Sequence, residues 1–191
     1  MVVLVLAHGA GAGMQHPFMH QLSVELKNRK LVTVRFNFPF MENKKGRPDA
    51  PAVAHAAIEA VIAATQNKFS KLPLFISGKS FGGRMSSQLM AEKKIEGVNG
   101  IIFYGFPLHQ PGYSGIERAD HLKKVKVPML FLQGTRDALA HKTRITQVVK
   151  GLKKGKLILF DGADHSFKAP GQNLIPILAR ETADWVDKKL E

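Results

Sequence analysis

Gly78, Ser80 and Gly82 form a G-x-S-x-G arrangement within "SGKSFGG", residues 77–83. A serine hydroxyl is a weak nucleophile until a base takes its proton, and presenting it to a substrate calls for a sharp turn between a strand and a helix. Small residues two before and two after the serine keep neighbouring side chains from clashing at such a turn. The strand-like run "LPLFIS" (72–77) precedes it, and "FGGRMSSQLM" follows with helical character. The bland alternative is a glycine-rich turn with Ser80 as a helix N-cap. A P-loop, G-x-x-x-x-G-K-[ST], is excluded: its first glycine would fall on Pro73, and strand-like residues stand where a phosphate-wrapping loop is needed.

A second glycine-rich stretch, "AHGAGAG" (7–13), resembles a dinucleotide fingerprint and fails as one. Counting from Gly9, the last glycine would fall on Met14, and the next strand ends in "RFNFP" without the required acid. H-G-x-x-x-G after a strand suits an oxyanion loop better, because it turns a backbone amide toward a nucleophile. A plain βα turn is the alternative.

A nucleophilic serine needs a base, and the base needs an orienting carboxylate. Downstream of Ser80, Asp137 stands in "QGTRDAL" and His165 in "DGADHSF", in the chain order serine, acid, histidine. Asp164 is a rival acid, but adjacent residues usually point apart; Asp161 is a weaker one. His8 precedes the loop glycines and reads as a structural hydrogen-bonding group. His16, His20, His55, His121 and His141 sit on predicted helices or loop edges. His109, in an irregular loop, is within reach of a substrate, and Met14, Phe40, Met41 and Lys79 are candidates for the mouth of the site. No metal or other cofactor is expected.

These groups are carried by six apolar runs, 2–7, 31–38, 72–77, 98–104, 127–133 and 155–160. Their Val, Ile, Leu and Phe are continuous rather than alternating, which predicts strands buried on both faces. Helical segments over 17–30, 50–69, 80–94, 141–154 and 173–190 separate them. The alternation predicts a mostly parallel sheet with helices on both faces, in one domain spanning 1–191. If strand 2 lies outside strand 1 and strand 3 on its other side, "HGAGAG" and "GKSFGG" meet at the reversal of strand order, where open sheets form sites. Residues 105–126 hold two prolines and three glycines and predict a loop with one helical turn, too short for a lid domain.

The composition narrows the function classes. There is no cysteine, hence no disulfide framework, thiol nucleophile or thiolate metal site. No apolar run approaches the ~18 residues of a membrane span, and a cytoplasmic location is the default. Lys and Arg number 28 against 15 acids, for a net charge of +13. The lysines are scattered in the sequence, in predicted loops and helix ends, so they read as solvated surface. Nucleic acid is an unfavoured partner, not an excluded one.

Together, "HGAGAGMQHPF", "VRFNFPF", "SGKSFGGRM", "LQGTRDAL" and "GADHSF" resemble the α/β-hydrolase superfamily over nearly the whole chain. They are most similar to the small branch containing testis-expressed protein thirty and NSL-complex subunit three, related to dienelactone hydrolases. The resemblance implies a minimal α/β-hydrolase fold lacking the first two strands of the larger fold. It implies Ser80 as nucleophile, Asp137 as acid and His165 as base, with an oxyanion hole from the Phe81 amide and one from Ala10 or Gly11. Dienelactone hydrolases carry a cysteine nucleophile, where this chain has Ser80. The function expected is hydrolysis of an ester, thioester or similar acyl bond in a small molecule. The competing reading is a non-catalytic interaction module, for protein or nucleic acid, on the same scaffold.

Overall fold

Period-two alternation along each strand decides the architecture. In β1 (Val2–Ala7), Val3, Val5 and Ala7 face one apolar cluster while Val2, Leu4 and Leu6 face another, and all six are buried. A strand apolar on both faces must be covered on both faces, which requires helical crossovers and therefore parallel neighbours. The computed structural model, which describes residues 1–191, has this arrangement. Its main sheet has the order β2-β1-β3-β4-β5-β6, all parallel, with β2 at Leu31–Phe36, β3 at Leu74–Lys79, β4 at Val98–Tyr104, β5 at Met129–Gly134 and β6 at Gly155–Phe160.

Two helices, α1 (Pro17–Lys27) and α6 (Ile175–Leu190), cover one face. Met19, Leu22 and Leu26 of α1 and Leu178, Trp185 and Val186 of α6 pack there against Leu4, Phe75, Ile102 and Leu130. On the other face, Ile58 and Ile62 of α3 (Pro51–Lys68), Met85 and Leu89 of α4 (Phe81–Glu92) and Ile145 of α5 (Lys142–Lys150) pack on Val5, Ile76, Phe103 and Phe131. Each such side chain, fully withdrawn from water, contributes about 1.5–3 kcal/mol. One polar pair spans the first interface: the Tyr104 hydroxyl meets Thr182 Oγ1 at 2.9 Å, and burial pushes the phenol's pKa above its ordinary value.

The strand and helix order agrees with the sequence, and the prolines explain several boundaries. Pro17, Pro39, Pro51 and Pro176 each stand in the first turn of a helix, where a missing N–H costs nothing. β3 runs two residues further than expected, through Lys79, so the strand delivers the chain directly to Ser80. Two small elements escaped the pattern: the four-residue helix α2 (Pro39–Glu42), and the hairpin of β7 (Lys168–Ala169) and β8 (Gln172–Asn173). The 105–126 connection holds a 3-10 helix over Glu117–Lys124 and no lid domain. No helix is long and apolar enough to cross a membrane.

Candidate active site

Ser80 links the end of β3 to the start of α4 with φ 49° and ψ −111°. A side chain strongly disfavours this backbone region, so the surroundings must hold it there. They do so through the two flanking glycines. A Cβ on Gly82 would stand 2.6 Å from the His8 carbonyl oxygen and 2.7 Å from the Ala7 Cβ. One on Gly78 would drive into the backbone of Gly82 and Gly83. The spacing of small residues read from the sequence is therefore a steric requirement of the turn.

The adjoining loop, residues 8–13, is held by buried polar contacts. His8 is fully buried; its Nε2 accepts from the Phe38 amide at 3.0 Å, leaving Nδ1 to donate to the Gly9 carbonyl at 2.7 Å. Burial lowers the His8 pKa, which favours the neutral ring that this bonding needs. Asn37 Oδ1 accepts from the Met14 amide at 2.8 Å, and Arg35 donates to the Met14 carbonyl at 2.9 Å. As the first residue of α4, Phe81 has an amide with no partner inside the helix. Neither Ala10 nor Gly11 donates in a loop backbone hydrogen bond.

Three residues distant in sequence meet at this turn. His165 Nε2 lies 2.8 Å from Ser80 Oγ, and His165 Nδ1 lies 2.7 Å from Asp137 Oδ2. Asp137 is buried and fully engaged: Oδ2 also accepts from Gln133 Nε2 at 2.6 Å, and Oδ1 from the Leu139 amide at 2.7 Å. Gln133 is itself fixed, because its Oε1 accepts from the Phe106 amide at 2.9 Å. An ionised Asp137 can only accept, so Nδ1 carries the imidazole proton and Nε2 is left to accept from the serine hydroxyl. Both rival acids are occupied elsewhere. Asp164 Oδ1 accepts from the amides of Ser166 and Lys168 at 2.8 and 2.9 Å, and Asp161 accepts from Thr135 Oγ1 at 3.2 Å.

A cavity of about 400 Å³ opens over Ser80 and His165. Its polar wall is the loop from Gly9 to Ala12 with Lys79 and His16, and its apolar wall is Phe18, Met19 and Leu139. Of the five residues expected at the mouth, only Lys79 lines it. Phe40 is 1% exposed, its ring stacked beside Phe38 and edge-on to Phe81, so it belongs to the core. Met41 packs into the same core beneath Gly13. Met14 is bonded through its backbone to Asn37 and Arg35 and lies off the cavity wall. His109 is buried under the loop, its Nδ1 at 2.9 Å from the Gln110 carbonyl. His16, read as a helix-edge residue, does line the cavity; its Nδ1 caps α1 by accepting from the Phe18 amide. No group of three or more His, Cys, Asp or Glu side chains gathers in an arrangement that would hold a metal.

A second serine–histidine pair lies between α4 and the 3-10 helix, with Ser87 Oγ 2.7 Å from His121 Nε2. The Ser87 hydroxyl already donates to the Arg84 carbonyl, so His121 must donate to it and cannot act as its base. Ser87 is also wholly buried. Burial, with the charge of Arg84, lowers His121 to about 4.

A family model described as an alpha/beta hydrolase domain matches residues 1–175. The chain belongs to the alpha/beta hydrolase family. Among solved structures, it is similar to an alpha-beta serine hydrolase homologue from Coxiella burnetii, at 22% identity and TM-score 0.73, covering 100% of this chain and 85% of that one. It is similar to a dienelactone hydrolase from Anabaena variabilis, at 17% identity and TM-score 0.77, covering 98% and 86%. It is also similar to a monoacylglycerol lipase from Paleococcus ferrophilus, at 15% identity and TM-score 0.74, covering 98% and 94%. At these identities the likeness establishes the shared fold.

Proposed function

We propose that the chain is a serine hydrolase that cleaves an ester, thioester or similar acyl bond through an acyl-enzyme, with Ser80 as nucleophile, His165 as base and Asp137 as the orienting acid. The observation that carries this reading is the continuous line of hydrogen bonds Ser80 Oγ–His165 Nε2 and His165 Nδ1–Asp137 Oδ2, ending at a serine in a strained turn. Ser80 Oγ attacks the carbonyl carbon and its proton passes to His165 Nε2. Asp137 stabilises the imidazolium that forms. The carbonyl oxygen becomes an oxyanion and accepts hydrogen bonds from the Phe81 amide and from Ala10 or Gly11. The tetrahedral species collapses and the C–O or C–S bond breaks. The leaving alcohol or thiol takes the proton from His165. Water then attacks the acyl-serine with the same base, and an acid is released.

Cavity size and the absence of a lid domain favour small acyl groups. About 400 Å³ is at the lower end of small-molecule sites, and the Phe18–Met19–Leu139 wall suits a short aliphatic or aromatic acyl chain. Within the family, we place the chain in the branch of testis-expressed protein thirty and NSL-complex subunit three, on the motifs "SGKSFGGRM" and "LQGTRDAL". The test is turnover of p-nitrophenyl esters of graded chain length by wild type and Ser80→Ala. The account expects short chains to turn over best, and Ser80→Ala to lose roughly three to six orders of magnitude in kcat. Full activity in Ser80→Ala on a substrate of the wild type would overturn it.

A further inference from the structure

The scattered lysines of the sequence are not scattered in the fold. Two separate runs, 153–156 and 188–189, converge at the amino ends of β5 and β6, beside the backbone of Lys126. Lys153, Lys154, Lys156, Lys188 and Lys189 line one groove of about 400 Å³ there. Lys154 Nζ donates to the Lys126 carbonyl at 2.8 Å. The active site occupies the opposite, carboxyl edge of the same sheet, one six-residue strand away, or roughly 20 Å.

Two observations set this groove apart from an ordinary solvated face. None of its five lysines pairs with a carboxylate, although Asp184 and Asp187 share α6 with two of them. The helix dipole accounts for Lys188 and Lys189 at the end of α6, but not for three more lysines brought in by the approach to β6. Like charges crowded without counter-charge repel, and a bound polyanion relieves the repulsion.

We infer that this groove binds the phosphate backbone of duplex nucleic acid, without sequence readout. The groove's one aromatic residue, Trp185, is 2% exposed, edge-on to Phe75, so no ring is offered for stacking on single-stranded bases. An anionic membrane is less well suited, because the side chains around the groove are concave and charged. Leu190, 40% exposed, is the single exposed large apolar side chain at that end of α6.

The test is anisotropy of a fluorescein-labelled DNA duplex of about 20 base pairs, titrated with the full chain from about 50 to about 200 mM salt. Five phosphate contacts predict a log–log salt slope of about −4 to −5, and hence a loss of about 500-fold in affinity over that range. Lys154→Gln/Lys188→Gln/Lys189→Gln should flatten the slope by about 3. A control, Lys44→Gln/Lys142→Gln/Lys168→Gln, removes the same charge from exposed positions outside the groove and should leave the slope unchanged. All six are exposed, so both variants should fold. Equal loss in both variants would overturn the groove in favour of diffuse charge. Absence of DNA binding at the lowest salt would also overturn it, as would binding only to phosphatidylserine vesicles. Ester turnover should be the same in both variants and wild type, so this result is read independently of the hydrolase reading.

Discussion

Lys79 donates from its ammonium to the backbone carbonyl of His165 across 2.6 Å. The residue next to Ser80 thus holds the loop that carries His165. The ammonium also lies 5.7 Å from the centre of the Phe167 ring, and Phe167 has a φ of 60°, so the lysine steadies a strained segment. Lys79→Met keeps the stem and removes the donor. It should lower kcat by about 10- to 100-fold, because it frees the loop that holds His165 against Ser80. Steady-state kinetics on a short p-nitrophenyl ester check this; an unchanged kcat contradicts it.

The same lysine predicts a pH dependence of stability. Burial lowers its pKa from 10.5 to about 8, opposed by Asp137 and Asp164. Below about pH 8 the amine is protonated in both folded and unfolded chains, and the cost of burying the charge is felt in full. Between about 8 and 10.5 the folded chain has lost the proton while the unfolded chain keeps it, so stability rises with pH. Relative to Lys79→Met, which cancels the other titrations, wild type should gain on the order of 2 kcal/mol between pH 7.5 and 10.5. Urea unfolding at the two pH values measures it, and a flat difference contradicts the burial.

The acid assignment separates two neighbouring candidates. Asp137→Asn should lower kcat by roughly 10³–10⁴, because an amide no longer selects the Nδ1–H tautomer of His165. Asp164→Asn should cost less than about tenfold, since an asparagine oxygen can still accept from the amides of Ser166 and Lys168. Reversal of that order would reassign the acid.

The turn makes a steric prediction. Gly82→Ala places a methyl 2.6 Å from the His8 carbonyl, a backbone atom that cannot swing aside. It should destabilise the fold by about 1–3 kcal/mol and reduce activity in the fraction that folds. Gly11→Ala, where an added methyl meets nothing within 4 Å, should be nearly neutral in thermal melts.

How far the sequence spoke for itself depended on the kind of information needed. The six strands and their parallel order were legible because continuous Val, Ile and Leu runs such as "VVLVLA" can only be buried on both faces. The meeting of Ser80, Asp137 and His165 was legible because chain order and strand ends put all three on the carboxyl edge. Phe40, Met41 and Met14 were misplaced because sequence position does not say where a side chain points; α2 turns Phe40 inward onto Phe38. The four-residue α2 and the two-residue strands are too short to show a period. Gln133 was missed as the support of Asp137, though a faint signal existed: it is the sole polar side chain in "MLFLQG". The lysine groove was invisible because its members come from two runs, before β6 and at the end of α6, that only the packing of α6 on the sheet brings together.

The central claim is that Ser80 is an activated nucleophile. The most direct measurement is intact-mass analysis of the folded chain after exposure to a fluorophosphonate, followed by peptide mapping. The account predicts a single adduct at Ser80 that forms readily in wild type, hardly in His165→Ala and not at all in Ser80→Ala. No adduct on the folded wild-type chain, or an adduct of equal yield in Ser80→Ala, would contradict it.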